Sequence, residues 1–441
     1  MRHIDFTSGP VGRKILLFSL PLMVGNVFQQ LYNVVDTLVV GKFLGEAPLA
    51  AVGSAYTLMI FLTSILIGLT MGAGVYFSLC FGRKNFDRMK QAVFISFLSI
   101  GLLSVIMNGA AYIFLDGLIS FMQVPFEVIP YIRDYLLWIF AGLLAVFLYN
   151  FGAALLRAVG DSVTPLLFLI LSSLMNVALD ILFVVYLDFG VSGAAEATVI
   201  SQYVSGAGIF LYCFLFRKDF HISRKDMVWN RQVFCDMSEL SLLTSLQQSI
   251  MNFGILLVQG LVNSFGTTVM AAFAVGVKID TIAYSPLQDF GNAFSTYAAQ
   301  NWGAGNKARI RQGVITAGKM IFLFSILASC LVSLLAPTLM GFFVPETAEE
   351  VIAVGAHYLR IEGSCYLGIG ILFMLYGFYR AIKRAGMSVI LTILSLGTRV
   401  VLAYFLSSFP EIGVTGIWLS IPIGWALADM YGIIKVYKLV S

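Results

Sequence analysis

The chain alternates long apolar runs with short polar connections. A run of about 20 apolar residues can cross a bilayer as a helix. Twelve such runs can be read: 15–40, 49–78, 92–115, 133–156, 163–187, 192–216, 234–264, 269–298, 314–342, 352–379, 387–409 and 413–434. Several contain Pro or Gly, which membrane helices tolerate. The short alternation of an outer-membrane barrel is absent. The pattern predicts an all-α integral membrane protein with twelve transmembrane helices. The first run, from Ile15 past Val40, is longer than a signal-peptide core and has no convincing small-residue cleavage site, so it reads as an uncleaved first span.

Polar residues inside these runs carry the candidate chemistry. In the stretch from Leu174 to Leu182, the only polar side chains are those of Asn176 and Asp180. They are four residues apart and share a helix face. A second acid, Asp36, interrupts the first run. Charge at membrane depth is costly and by default marks an ion or substrate path. These residues therefore read as a cation site. Pro21, early in the first run, removes a backbone hydrogen bond and offers a hinge that could move Asp36.

Loop charge sets the orientation. Even-numbered connections carry Arg83, Lys84, Arg88, Lys90, Arg157, Lys307, Arg309, Arg311, Arg380, Lys383 and Arg384, and both tails are basic, with Arg2, Arg13, Lys14, Lys435 and Lys438. Odd-numbered connections carry mostly acids, among them Glu46, Asp116, Glu127, Asp188, Glu346 and Glu411. The positive-inside rule places both termini in the cytoplasm of a multi-pass cell (inner or plasma) membrane protein.

The longest polar connection, Arg217 to Arg231, divides the chain into an N-lobe (1–216), a linker (217–232) and a C-lobe (233–441). Four short matches recur in order at offsets of 221 to 226 residues: Ala51-Val52-Gly53 with Ala274-Val275-Gly276, Phe81-Gly82 with Trp302-Gly303, Arg157–Ser162 with Lys383–Ser388, and Gly190–Gly193 with Gly413–Gly416. A nearly constant offset marks a duplicated six-span unit. With six spans each, the two lobes have the same orientation and are expected to be related by an axis along the membrane normal, enclosing a cavity.

Composition narrows the function. Of 441 residues, 59% are hydrophobic and 11% charged, against about 25% charged in soluble domains. The net charge of +4 resides in short loops without interleaved aromatics, so no nucleic-acid partner is expected. Five scattered cysteines and three distant histidines make neither a disulfide framework nor a zinc pattern. No Ser/His or HExxH motif lies at a plausible depth, so the chain does not read as an enzyme.

The stretches Leu31–Gly41 (LYNVVDTLVVG), Leu156–Pro165 (LRAVGDSVTP) and Gln300–Gly305 (QNWGAG), with the six-plus-six plan, resemble the MATE (multidrug and toxic compound extrusion) transporters of the MOP flippase superfamily. The resemblance covers nearly the whole chain. It implies two pseudo-symmetric six-helix lobes around a central cavity. It also implies a monomeric antiporter that works by alternating access, exporting amphipathic, often cationic organic compounds against Na⁺ or H⁺, with no cofactor. The alternative within the superfamily is a flippase for a lipid-linked precursor. The resemblance assigns Asp36, Asn176, Asp180 and Thr198 to cation coupling. The neutral oxygens of Asn176 and Thr198 lean the choice slightly toward Na⁺. In the C-lobe, the repeat places Leu257, Arg399, Ala403 and Ile421 at the equivalent positions, so that site is expected in the N-lobe alone. Lys278, Asp280, Asp289 and Arg399 remain as C-lobe polar residues. Arg399 is expected to pair with an acid there. Tyr32, Tyr149, Met175, Met251, Tyr284, Asp289 and Met374 are candidates for a soft substrate cavity, since Met and aromatic surfaces can re-pack around varied ligands.

Overall fold

The computed structural model describes residues 4–122, 124–345 and 347–440. Arg2, His3 and Glu346 lie outside the described residues, as does the side chain of Lys438. The chain is helical throughout, without strands among the described residues. In the first half the helices are α1 (Val11–Phe43), α2 (Glu46–Gly82), α3 (Phe86–Ile113), α4 (Leu115–Phe121), α5 (Ile129–Ile139), α6 (Gly142–Ala158), α7 (Val163–Asp180) and α8 (Gly190–Phe216). The second half has α9 (Arg231–Asn263), α10 (Thr267–Gly303), α11 (Lys307–Gly341), α12 (Glu349–Gly363), α13 (Tyr366–Ala381), α14 (Ala385–Ser407) and α15 (Val414–Val440).

Among the described residues, ten helices are long and apolar enough to cross a membrane singly, α7 doing so together with the segment that follows it. Two further spans are bent pairs, α5 with α6 at 43° and α12 with α13 at 51°. The twelve-span reading is met once each bent pair counts as one span. Many helices are apolar on all sides, with Leu102, Leu323 and Leu334 left 63, 72 and 79% exposed; such a surface suits lipid, not water.

The first bend is held open by side chains. Breaking a helix frees backbone carbonyls that lipid cannot satisfy. Here Asn108 of α3 donates to Phe140 O, Tyr203 of α8 donates to Ala141 O at 2.9 Å, and Tyr112 donates to Leu137 O at 2.8 Å.

The repeat is written in the backbone too. Left-handed residues recur as Gly45 and Gly266, Lys84 and Gly305, Gly160 and Lys383, and Gly190 and Gly413. Asn85 and Asn306 each cap a helix by accepting from a backbone N–H three residues on, at 3.0 and 3.1 Å.

By packing, one compact unit comprises Met1–Asp5 and Leu20–Ser245, the other Phe6–Ser19 and Leu246–Ser441. Each half's leading helix thus starts in the opposite unit. Pro21 stands where α1 enters the first unit, inside one continuous helix. In the first unit, α9 lies so close to α2 that a Cβ on Gly68 or Gly72 would sit 2.3 or 2.5 Å from the Cα of Ser245 or Ser241. The connection after α6 is pinned by Asp161, which accepts from the Thr164 N–H and hydroxyl and from Arg217. The Arg157 Nε donates to Ala153 O at 3.1 Å.

In the second unit, Phe6 is fully buried against Phe18 and Tyr297. Its backbone N–H donates to Gln300, and its carbonyl accepts from Asn301 and Arg309.

Candidate functional site

In the first unit, α1, α7 and α8 bring Asp36, Asn176, Asp180 and Thr198 into one buried pocket, none more than 7% exposed. Helical spacing aligns Asn176 with Asp180, and Thr198 on α8 meets the same face: the Asn176 Nδ2 donates to the Thr198 Oγ1 at 3.3 Å. The carboxyls of Asp36 and Asp180 lie close enough to act on each other electrostatically. No N–H or O–H donor reaches Asp36 Oδ1, Asn176 Oδ1 or either Asp180 oxygen.

A buried cluster of acceptors without donors lacks positive charge, and burying such charge unpaired is expensive. A proton or a small hard cation would supply what is missing. The donor set is all oxygen, which fits an alkali-metal ion as well as a proton. Tyr32, one turn before Asp36, and Tyr135 on α5 both lie within electrostatic reach of the two acids. Immediately after Asp180, residues Ile181–Tyr186 form a π-helix, a widened turn that recurs at functional positions.

The other sequence candidates are dispersed. The Tyr149 hydroxyl donates to Pro165 O at 3.1 Å. Met175 is half-buried on α7, and Met374 is buried on α13. Met251 and Tyr284 line a cavity inside the second unit, which Asp289 and Met374 do not. Lys278 is exposed.

That cavity holds what sequence reading missed. Glu362, on the last turn of α12, faces Asp280 of α10 at hydrogen-bonding range. The Tyr366 hydroxyl donates to Asp280 Oδ1 at 2.7 Å, and the Tyr358 hydroxyl to Glu362 Oε2 at 2.8 Å. The signal was available, because Glu362 falls within the tenth apolar run, where an acid is costly. Arg399 does not form the direct ion pair expected of it; it lines the same cavity. Asp429 is a further buried acid missed in the last span.

Comparison with known proteins places this architecture. The MatE family model matches residues 21–182 and again 243–405, so the two matches repeat the duplication seen in the sequence. The chain is 29% identical over 425 residues to the "Probable multidrug resistance protein YpnP" of Bacillus subtilis, covering 95% of this chain and 92% of that one. It is 24% identical to the "Multidrug export protein MepA" of Staphylococcus aureus, over 98 and 95% of the two chains. A structure described as the outward-facing conformation of a multidrug resistance MATE family transporter of the MOP superfamily shares the fold. It has a TM-score of 0.94 at 24% identity and covers 100% of this chain and 98% of that one. The duplicated all-helical plan and the double match over most of the chain make it a member of the MatE family of membrane transporters, and not an enzyme.

Proposed function

We propose that this protein is a cation-coupled antiporter that exports amphipathic, often cationic organic compounds across the cell membrane by alternating access. Coupling falls to Asp36, Asn176, Asp180 and Thr198. The observation that carries the reading is the set of four buried acceptor oxygens with no donor, on α1 and α7 of one unit, beside Thr198 on α8. The names of the relatives support multidrug substrates. An ion drives transport only by binding one conformation more tightly than another. A site spread over α1, α7 and α8 meets that need, because any movement of α1 about Pro21 would separate Asp36 from Asp180.

The flippase alternative gains no support from the charges. A pyrophosphate needs clustered cations, whereas Lys278 is exposed and Arg399 shares its cavity with two carboxyls.

Uptake into inverted proteoliposomes, with pH and Na⁺ gradients imposed separately, tests the proposal. Substrate movement driven by one gradient and lost in Asp36→Asn supports it and names the ion. Equal movement with neither gradient refutes coupling.

A further inference from the structure

In the second unit, Gly12 of α1 and Thr316 of α11 face each other. A Cβ on Gly12 would sit 3.1 Å from the Thr316 γ-methyl and 3.8 Å from the Met320 terminal methyl. Just before α1, Ser8 O and Gly9 O accept from Arg309, near the start of α11. The two helices therefore run the same way.

A rotation of about 100° per residue decides what flanks this seam. On α1, Arg13, Leu16 and Leu17 lie to one side of Gly12 and are exposed, whereas Ile15, Phe18 and Ser19 lie to the other and are buried. On α11, Arg311, Ile315 and Lys319 lie in the opposite rotational sense from Thr316 and are exposed, whereas Ile310, Gly313 and Ala317 are buried. Between parallel helices that face each other, opposite rotations lead to the same side of the seam. Arg13 and Lys319 thus flank one groove at one level. Arg311 stands about 12 Å nearer the start of α11, at ~1.5 Å per residue.

These three cations are uncommitted. Among the described residues none of them makes an ion pair. There is no Asp or Glu in α11, and none in α1 before Asp36. Their basic neighbours are occupied, Lys14 with the Ser8 hydroxyl at 3.4 Å and Arg309 with three backbone carbonyls. Beyond Lys14, α1 is uncharged as far as Asp36, and beyond Lys319, α11 is uncharged to its end at Gly341. Both apolar stretches begin at the level of the groove, which therefore stands at the edge of the hydrocarbon layer. A cation facing lipid there is costly unless its long stem carries the charge to a counter-charge in the head-group layer.

We propose that this groove binds an anionic phospholipid, its phosphate between Arg13 and Lys319 and its acyl chains along Leu16, Leu17, Ile315 and Leu323. Charge complementarity selects the occupant. The head of the groove is cationic without a balancing acid, and its walls are apolar and continuous with the lipid-facing surface of α11. Basic pockets between membrane helices take anionic head groups, whereas a zwitterionic lipid would bring an ammonium group against three cations. The bound lipid bridges α1 and α11 beside the Gly12 contact.

Native mass spectrometry of the purified full-length protein tests this, in detergent micelles carrying either dioleoyl-phosphatidylglycerol or dioleoyl-phosphatidylcholine. Phosphatidylglycerol is expected to be retained in preference. Arg13→Gln and Lys319→Gln are each expected to weaken its retention by about fivefold, and to leave phosphatidylcholine unchanged. Lys319→Arg, which keeps the charge, is expected to retain the lipid. Lys307→Gln, exposed on the far side of α11, is expected to alter neither. The proposal is overturned if the Arg13→Gln/Lys319→Gln double variant keeps phosphatidylglycerol as the unaltered protein does, if the two lipids are held equally, or if Lys307→Gln loses as much. Displacement of the lipid by an equal concentration of glycerol 3-phosphate would show a free phosphate ester to be the ligand and would also overturn it. No transport is measured, so the outcome stands apart from the exporter reading.

Discussion

Arg309 donates through its Nε to the carbonyl oxygen of Phe6 at 2.8 Å, a bond between residues 303 positions apart. Its Nη2 also donates to Ser8 O and Gly9 O, at 2.6 and 2.9 Å. One guanidinium thus holds three backbone carbonyls in the segment before α1 begins. Hydrogen bonds to charged groups contribute roughly 1.5–3 kcal/mol each when well formed, less where water competes. Arg309→Ala is expected to lower the melting temperature and to speed amide exchange at residues 6–12. Unchanged exchange there would show that the buried Phe6 ring suffices.

The proposed coupling site gives a sharper expectation. Asp36→Asn and Asp180→Asn each remove a carboxylate that would bind the proton or cation, so each variant is expected to fold, reach the membrane and fail in gradient-driven export. Substrate accumulation in cells, normalised to membrane-inserted protein, measures this. A folded double variant exporting at the normal rate would move attention to Asp280 and Glu362.

The bend between α5 and α6 depends on borrowed donors. Tyr203→Phe and Asn108→Ala each take a side-chain donor from a carbonyl at the break, Phe140 O keeping the Leu143 N–H at 3.0 Å. Each is expected to cost about 1–3 kcal/mol, read as a lower denaturation midpoint in detergent. Tyr212→Phe, also on α8 but away from the break, is expected to show no such loss.

Orientation can be checked at the connection between Arg217 and Arg231. Ser223 is a poor place for a probe, because its hydroxyl donates to Asp226 at 2.6 Å. Lys225 is exposed. In a background lacking the native cysteines, Lys225→Cys is expected to resist a membrane-impermeant maleimide in intact cells and to react in inverted vesicles. Efficient labelling of intact cells would reverse the topology.

The same connection should respond to acid. The Ser223 hydroxyl and backbone N–H both donate to Asp226, and these bonds hold its carboxyl below the usual carboxylate range. A depressed value means that the stabilisation is fully present above the unfolded value of about 3.9. It is lost as pH falls through the lower folded value. Amide exchange at residues 223–227 is expected to stay slow from pH 7 to pH 5 and to quicken below about pH 4 relative to intrinsic rates. Asp226→Asn should show the quickened behaviour at every pH.

Asp36, Asn176 and Asp180 were legible in the sequence because a polar group in an apolar run stands out, and because two of them are four residues apart. Thr198 was not legible by that route. A hydroxyl in a membrane helix is common, and only family resemblance selected it. Glu362 was overlooked for a physical reason. It stands where the tenth span breaks, before Gly363 and Cys365, and a run ending in Arg-Ile-Glu-Gly reads like a loop edge. Tyr135 was indistinguishable from any other aromatic at a helix interface. The π-helix of Ile181–Tyr186 contains neither Gly nor Pro, so nothing in Ile-Leu-Phe-Val-Val-Tyr announces a wider turn. Span number and order followed from hydropathy alone. The passage of α1 and α9 from one packing unit to the other did not, because apolar periodicity records burial and not what does the burying.

That exchange of leading helices bears on how the chain matures at the ribosome. Phe6 is made about 300 residues before Gln300, Asn301 and Arg309, which hold it. At ~5–20 residues per second the wait is roughly 15–60 s. The first unit is likewise unfinished until α9 has been inserted, because Ser241 and Ser245 cover the glycine face of α2. Gene duplication produced two similar halves, but neither is a separately ripening product. A chain stopped at the 217–232 connection would expose Gly68 and Gly72 on one helix and leave Phe6 without a socket, an intermediate that the insertion machinery must shelter for most of the time of synthesis.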